Sequence, residues 1–186
     1  MQSEIYKITM RNGLFMGVLF SVNFLFSASR SLPLMLLTYV IIAFIIAATY
    51  RMATRFRDRE LGGFISYWKA VYFVLLTFFF GGIVSALFKI GYTSFINTGY
   101  LPQLFEDGVR QIEQNRALFE SLKMPMDENY YEQLERQFRP APYAFQTIWT
   151  NLLAGGVLGL IVGGIVRRRR GLFDSDVPEQ NPDQEL

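Results

Sequence analysis

Four stretches of the chain, about 13–28, 32–50, 70–90 and 145–166, are continuously apolar and are bounded by charged or small polar residues. They do not alternate polar and apolar positions as the strands of a membrane barrel do, so the pattern predicts helices. A hydrocarbon core of ~30 Å needs ~20 helical residues, and the runs are close to that length. Four spanning helices follow. Ile5, Ile8 and Met10 precede the first run, which lets its helix begin early and tilt.

The connector Ser29-Arg30-Ser31 is so short that the first two helices form an antiparallel hairpin, with Pro33 in the opening turn of the second, where its missing N–H leaves no bond unmade. A cleaved leader is the alternative reading of the first run, since Lys7 and Arg11 precede it and Ser27-Ala28-Ser29 follow. A cut there would leave the second run almost at the new terminus, with no polar domain to export. A retained helix is the simpler account.

Residues 91–144 are too many for a structureless connection in a compact protein. Leu101, Leu104, Phe105, Ile112, Phe119 and Leu122 recur at roughly helical spacing, with Glu106, Asp107, Arg110, Glu113 and Arg116 between them. Met124-Pro125-Met126 breaks that pattern and Asp127 can cap a restart. Tyr130, Tyr131, Leu134 and Phe138 then mark one face of a second helix, which ends at Arg139-Pro140-Ala141-Pro142. The expectation is an amphipathic helical hairpin over about 100–139. The chain is thus one all-α integral-membrane domain, residues 1–170, in which a four-helix transmembrane bundle carries an extracytoplasmic hairpin between its third and fourth spans. Residues 171–186, with five acidic and no basic side chains, read as a disordered acidic tail.

Composition agrees with membrane residence: 51% of residues are hydrophobic and only 18% charged, against about 25% charged in an average soluble domain. The net charge of +2 is too small to point to nucleic acid. Its distribution says more. Lys7, Arg11, Arg51, Arg55, Arg57, Arg59, Lys69 and Arg167–Arg170 flank one set of helix ends, whereas only Arg30 and Lys89 lie close to the other. The excess of Lys and Arg places both termini in the cytoplasm. Clusters Arg51, Arg55, Arg57 and Arg59, and Arg167, Arg168, Arg169 and Arg170, are expected to set this topology and to contact anionic lipid.

The fourth run, AGGVLGLIVGGIV, places Gly155, Gly159 and Gly163 on one helix face. Helix association in lipid depends on close packing, which glycine permits. Gly81 and Gly82 with Ser85 and Ala86, Ala43 with Ala47, or Gly13 with Gly17 and Ser21 offer the matching surface within the chain. A second copy or another protein is the alternative.

Catalytic groups are scarce. The chain has no histidine and no cysteine, and no carboxylate falls within the four runs. No catalytic, cofactor-binding or metal-ligating residue is assigned. The Asp127-Glu128 pair reads as a helix start. Lys69 and Lys89 end the third run and are expected to snorkel to the headgroups. The intramembrane polar residues are Asn23, Thr38, Thr77, Ser85 and Asn151. They read as interhelical hydrogen-bonding groups, with a polar conduit built from Asn23 and Asn151 as the alternative.

The stretch YKITMRNGLFMGVLFS at 6–21, Gly62-Gly63-Phe64 before the third run, and FINTGYLPQLFEDGVRQIEQ at 95–114 resemble the bacterial membrane family called domain of unknown function 4199. The resemblance runs from Tyr6 to about Arg170. It implies four helices with a charged helical segment between the third and fourth, and it brings no established activity. The family pattern often has Asn-Pro after the third helix, where this chain has Asn97-Thr98.

These features point to a bacterial inner-membrane protein that serves as a non-enzymatic accessory or scaffold, with membrane lipids and a second copy or another membrane protein as partners. A small channel, transporter or lipid-handling protein is the alternative, and an enzyme a third. The topology is testable in this cysteine-free chain. A membrane-impermeant thiol reagent applied to intact cells should label Ser121→Cys and spare Ser175→Cys; the reverse pattern contradicts the orientation.

Overall fold

The computed structural model describes residues 2–29, 31–116, 121 and 128–168. The helix break at 124–126, the cap at Asp127, the stripe positions Phe119 and Leu122, Arg169, Arg170 and the acidic tail lie outside the described residues. Among the described residues the chain is all-α. Its elements are α1 (Gln2–Ala28), α2 (Leu32–Glu60), α3 (Tyr67–Gly91), a π-helical turn (Tyr92–Ile96), α4 (Tyr100–Gln114), α5 (Glu128–Gln137) and α6 (Pro140–Val166). Four helical segments are long and apolar enough to cross a membrane: Ile5–Ala28, Leu32–Glu60, Tyr67–Ile96 and Pro140–Val166. The protein is multi-pass.

Three helices extend beyond their apolar runs, each for a local reason. α1 begins at Gln2 because Ile5 and Ile8 already pack against the core and Thr9 is fully buried, its hydroxyl returning to the Ile5 carbonyl at 2.8 Å. α2 continues to Glu60 because an apolar seam of Ile45, Ala48, Ala53 and Phe56 persists through the arginine-rich stretch, with Thr49 buried beside it. Phe56 stacks on Phe73 of α3 at 4.3 Å. α6 opens at Pro140, so the proline-rich stretch that was expected to end α5 starts the next helix instead. Proline's fixed φ and absent N–H suit a first helical turn, and Arg139 before it is held extended at φ −76°, ψ 152°.

α3 is the central helix. α1 runs parallel to it on one side, and a Cβ added at Gly13 would stand 3.1 Å from the Thr77 carbonyl oxygen. At Gly17 an added Cβ would collide with Val84, and at Gly81 it would meet the Gly13 carbonyl oxygen at 3.2 Å. α6 runs antiparallel on the other side. There a Cβ at Gly155 would collide with Phe78, one at Gly159 would lie 3.2 Å from the Val71 carbonyl oxygen, and one at Gly163 3.3 Å from that of Tyr67. Gly82 returns the contact, 3.3 Å from Asn151 Cβ. The glycines of α6 therefore face α3 of the same chain, against Tyr67, Val71 and Phe78 and not against Gly81. Ala43 and Ala47 of α2 are exposed and take no part.

The basic end of the bundle is clasped by main chain. Gly62 and Gly63, at φ +62° and +88°, turn the chain out of α2 in a conformation that glycine adopts without strain. Ile65 and Arg168 then exchange two N–H···O bonds of 3.1 Å. At the opposite end, α4 and α5 meet through Phe105 and Phe138, whose ring centres are 5.8 Å apart, and Leu101 is buried.

Close packing at these glycines is testable. Overpacking a filled site costs about 1–3 kcal/mol, so Gly155→Ala should lower the thermal unfolding temperature in detergent. Gly164→Ala, with open space around it, should leave that temperature unchanged or slightly raised. Equal effects at the two positions would contradict the packing described.

Candidate functional site

Toward the hairpin end the small residues give way to larger ones. A pocket of about 360 Å³ opens there between α1, α3 and α6, with Phe20 and Phe24 of α1 and Tyr143 of α6 in its wall. No residue of α2 lines it, and the buried positions of α2 run from Ile45 to Phe56, toward the basic end.

Each of the three helices contributes polar side chains four residues apart, which places them on one helix face. Asn23 and Ser27 come from α1, Ser85 and Lys89 from α3, and Thr147 and Asn151 from α6. Lys89 is the single charged group among the lining residues, and no carboxylate is among them. Its ammonium donates to Thr147 Oγ1 at 3.0 Å. That hydroxyl spends its own proton on the Tyr143 carbonyl at 3.1 Å, which leaves its lone pairs for the lysine. Aromatic faces complete the setting: the ammonium lies 4.8 Å from the centre of the Phe24 ring and 5.2 Å from that of Tyr143. Phe24 is itself fixed by edge contacts to Tyr92 and Tyr100 at 5.4 and 5.6 Å.

Lys89, expected at the headgroups as the end of its run, thus turns its ammonium toward the other helices of the bundle. A hydroxyl and two ring faces within reach hold the ammonium inside the bundle. The π-helical turn after α3 supports this placement, since Thr93 Oγ1 bonds the Lys89 carbonyl at 2.8 Å where the backbone register changes.

The pocket also holds unspent hydrogen-bonding capacity. Ser85 is 1% exposed, yet its hydroxyl has no partner, and Asn23 Oδ1 has none either. Asn151 donates to the Thr147 carbonyl at 2.9 Å. Asn23 and Asn151 thus face one cavity, together with a cation that the sequence reading had left outside it. Of the other polar candidates, Thr77 bonds the Phe73 carbonyl at 2.8 Å, while the Thr38 hydroxyl, on the exposed half of α2, is buried without a partner and away from the pocket.

The arginines divide. Arg51, Arg55, Arg59, Arg167 and Arg168 are exposed. Arg57 is half-buried: it pairs with Asp58 at 2.7 Å and donates to the Val166 carbonyl, at the end of α6, at 3.2 Å. The Val166 carbonyl is one of those that the end of a helix leaves without an intrahelical partner, and the guanidinium supplies one.

What the arrangement can do chemically is receive negative charge. A lysine ammonium has three donors, and Thr147 takes one of them. Thermal unfolding of the Lys89→Met and Thr147→Val variants, alone and together, should give a coupling energy of about 1–3 kcal/mol, with Thr147→Val the more damaging single change because it strands the ammonium. Additive effects would remove the Lys89–Thr147 bond from this account.

No curated protein and no solved structure matches the chain. The family model described as Protein of unknown function (DUF4199) matches residues 11–168, a stretch that includes the first span from Arg11 onward, the other three spans whole and every residue of the pocket. The chain belongs to that family.

Proposed function

We propose that this protein is a non-enzymatic membrane protein that binds an anionic group in the pocket around Lys89. The observation that carries the reading is one ammonium, unmatched by any carboxylate among the lining residues, at the wall of a 360 Å³ polar cavity. Cavities of about 300 Å³ and above are of ligand size. A cation in such surroundings gains most from a mobile negative partner, because its own desolvation is otherwise offset by only one hydroxyl and two aromatic faces.

This reading moves the weight from scaffold to ligand handling. The glycine faces, for which an external helix was the alternative to packing within the chain, are filled by α3. Association with other membrane components remains available to α4 and α5, whose apolar stripes lie outside the four spans. Binding is favoured over turnover because the pocket holds amides, hydroxyls and one ammonium, but no carboxylate, histidine or cysteine. The distribution of Lys and Arg supports a bacterial inner membrane with both termini in the cytoplasm, which puts the pocket in the outer half of the bilayer.

A ligand that binds only the folded state stabilises it by about 2.7 kcal/mol at a hundred times its dissociation constant. Purified protein in neutral detergent should therefore unfold at a higher temperature with at least one member of a series running from acetate and inorganic phosphate to anionic phospholipid. Lys89→Met should lose that gain. Identical responses in the two proteins would contradict the reading. Transport through the same pocket would appear as liposome flux abolished by Asn23→Leu or Asn151→Leu, and binding without flux would assign the site to ligand retention.

A further inference from the structure

We infer that the anionic group is the headgroup phosphate of a phospholipid of net negative charge in the hairpin-side leaflet, favoured over a zwitterionic lipid whose own ammonium neutralises its phosphate, with its acyl chains lying outside the bundle along α6. The inference rests on the binding reading above and names the ligand class. Three independent features carry it.

The first is depth. From the exposed Trp68 to Lys89, α3 rises about 32 Å at 1.5 Å per residue, which is close to the ~30 Å thickness of a hydrocarbon core. Trp68 is 72% exposed near the basic end, as an interfacial tryptophan would be. Lys89 then lies where the headgroups of the other leaflet begin. An ammonium at that level meets lipid phosphate without drawing it into the apolar layer.

The second is the direction of the opening. At 100° per residue, a turn around α6 passes from Trp149 and Leu153 to Gln146 and Thr150 and then to Tyr143 and Thr147. Trp149 and Leu153 are exposed and apolar, Gln146 and Thr150 are exposed and polar, and Gln146, Thr150, Tyr143 and Thr147 line the pocket together. The lipid-facing ridge of α6 thus leads through a polar rim into the pocket wall. No α2 residue closes the pocket.

The third is the unfilled bonding capacity inside. Ser85, 1% exposed with its hydroxyl unpartnered, lies one helical turn below Lys89 on the same face of α3. A hydroxyl donor and an ammonium on one face suit a phosphate with several acceptor oxygens. The cavity volume accommodates a headgroup but leaves the chains outside, where the exposed side chains of α6 are apolar.

The chain has two tryptophans, so Trp68→Phe leaves Trp149 as the sole indole, beside the rim. This protein is placed in phosphatidylcholine nanodiscs containing a small fraction of phosphatidylglycerol or phosphatidylcholine brominated on the acyl chain near the carbonyl. One basic residue near an anionic lipid gives about fivefold enrichment, so brominated phosphatidylglycerol should quench Trp149 at about one fifth of the mole fraction needed for brominated phosphatidylcholine. The preference should persist in Lys89→Arg, vanish in Lys89→Met and resist millimolar inorganic phosphate.

Equal quenching by the two lipids in protein with Lys89 intact overturns the inference, and that comparison needs no substitution at the site. So does a preference that survives in Lys89→Met. Equal quenching together with Lys89-dependent stabilisation by inorganic phosphate overturns the lipid assignment while leaving the anion-binding reading in place. Loss of both responses removes both.

Discussion

Close approach of α1 and α6 to the two sides of α3 is the constraint on which the rest of this structure depends. Helices in lipid gain little from burying apolar surface against one another, so their association rests on contact distance. Here that distance is set by glycine: Gly13, Gly17 and Gly81 on one side, Gly82, Gly155, Gly159 and Gly163 on the other. Most of these positions leave no space for a methyl group without displacement of Phe78, Val84 or main chain. α2 packs against them from Ile41 onward, and near its end Phe56 reaches Phe73 and Arg57 reaches the end of α6. The main-chain bonds between Ile65 and Arg168 close that end.

The pocket follows from where the glycines stop. Toward the hairpin end Phe20, Phe24 and Tyr143 stand in the wall of the space between α1, α3 and α6. That space is too polar to be filled by packing alone, since each of the three helices presents hydroxyl, amide or ammonium groups to it. Stability and the proposed binding site thus come from the same helices at different heights. The basic half packs by contact, and the hairpin half keeps a cavity around a cation.

Much of the fold was legible because its signals are local. Continuous apolar runs gave the four spanning helices, and the spacing of Gly155, Gly159 and Gly163 gave the packed face of α6. Helix limits were less legible where tertiary contacts extended a helix into charged sequence, as at Ala53 and Phe56, or where a proline read as a stop served as a start, as at Pro140. The site was half visible. Asn23, Ser85 and Asn151 stood out as polar residues in apolar helices, but Lys89 read as a surface lysine because it sits at the edge of its run. The signal that could have joined them is the four-residue spacing shared by Asn23 and Ser27, Ser85 and Lys89, and Thr147 and Asn151. That spacing fixes a face on each helix. Which faces meet is decided by the glycines half a helix away, and no local pattern carries that information.

The central claim is that Lys89 holds a negatively charged partner between α1 and α6. Lipid mass spectrometry of protein purified from its native membrane in neutral detergent tests it most directly. The account predicts anionic phospholipid retained in near-stoichiometric amount by the unaltered protein and depleted in Lys89→Met at equal yield and equal monodispersity. The same retained lipids in both proteins would contradict it.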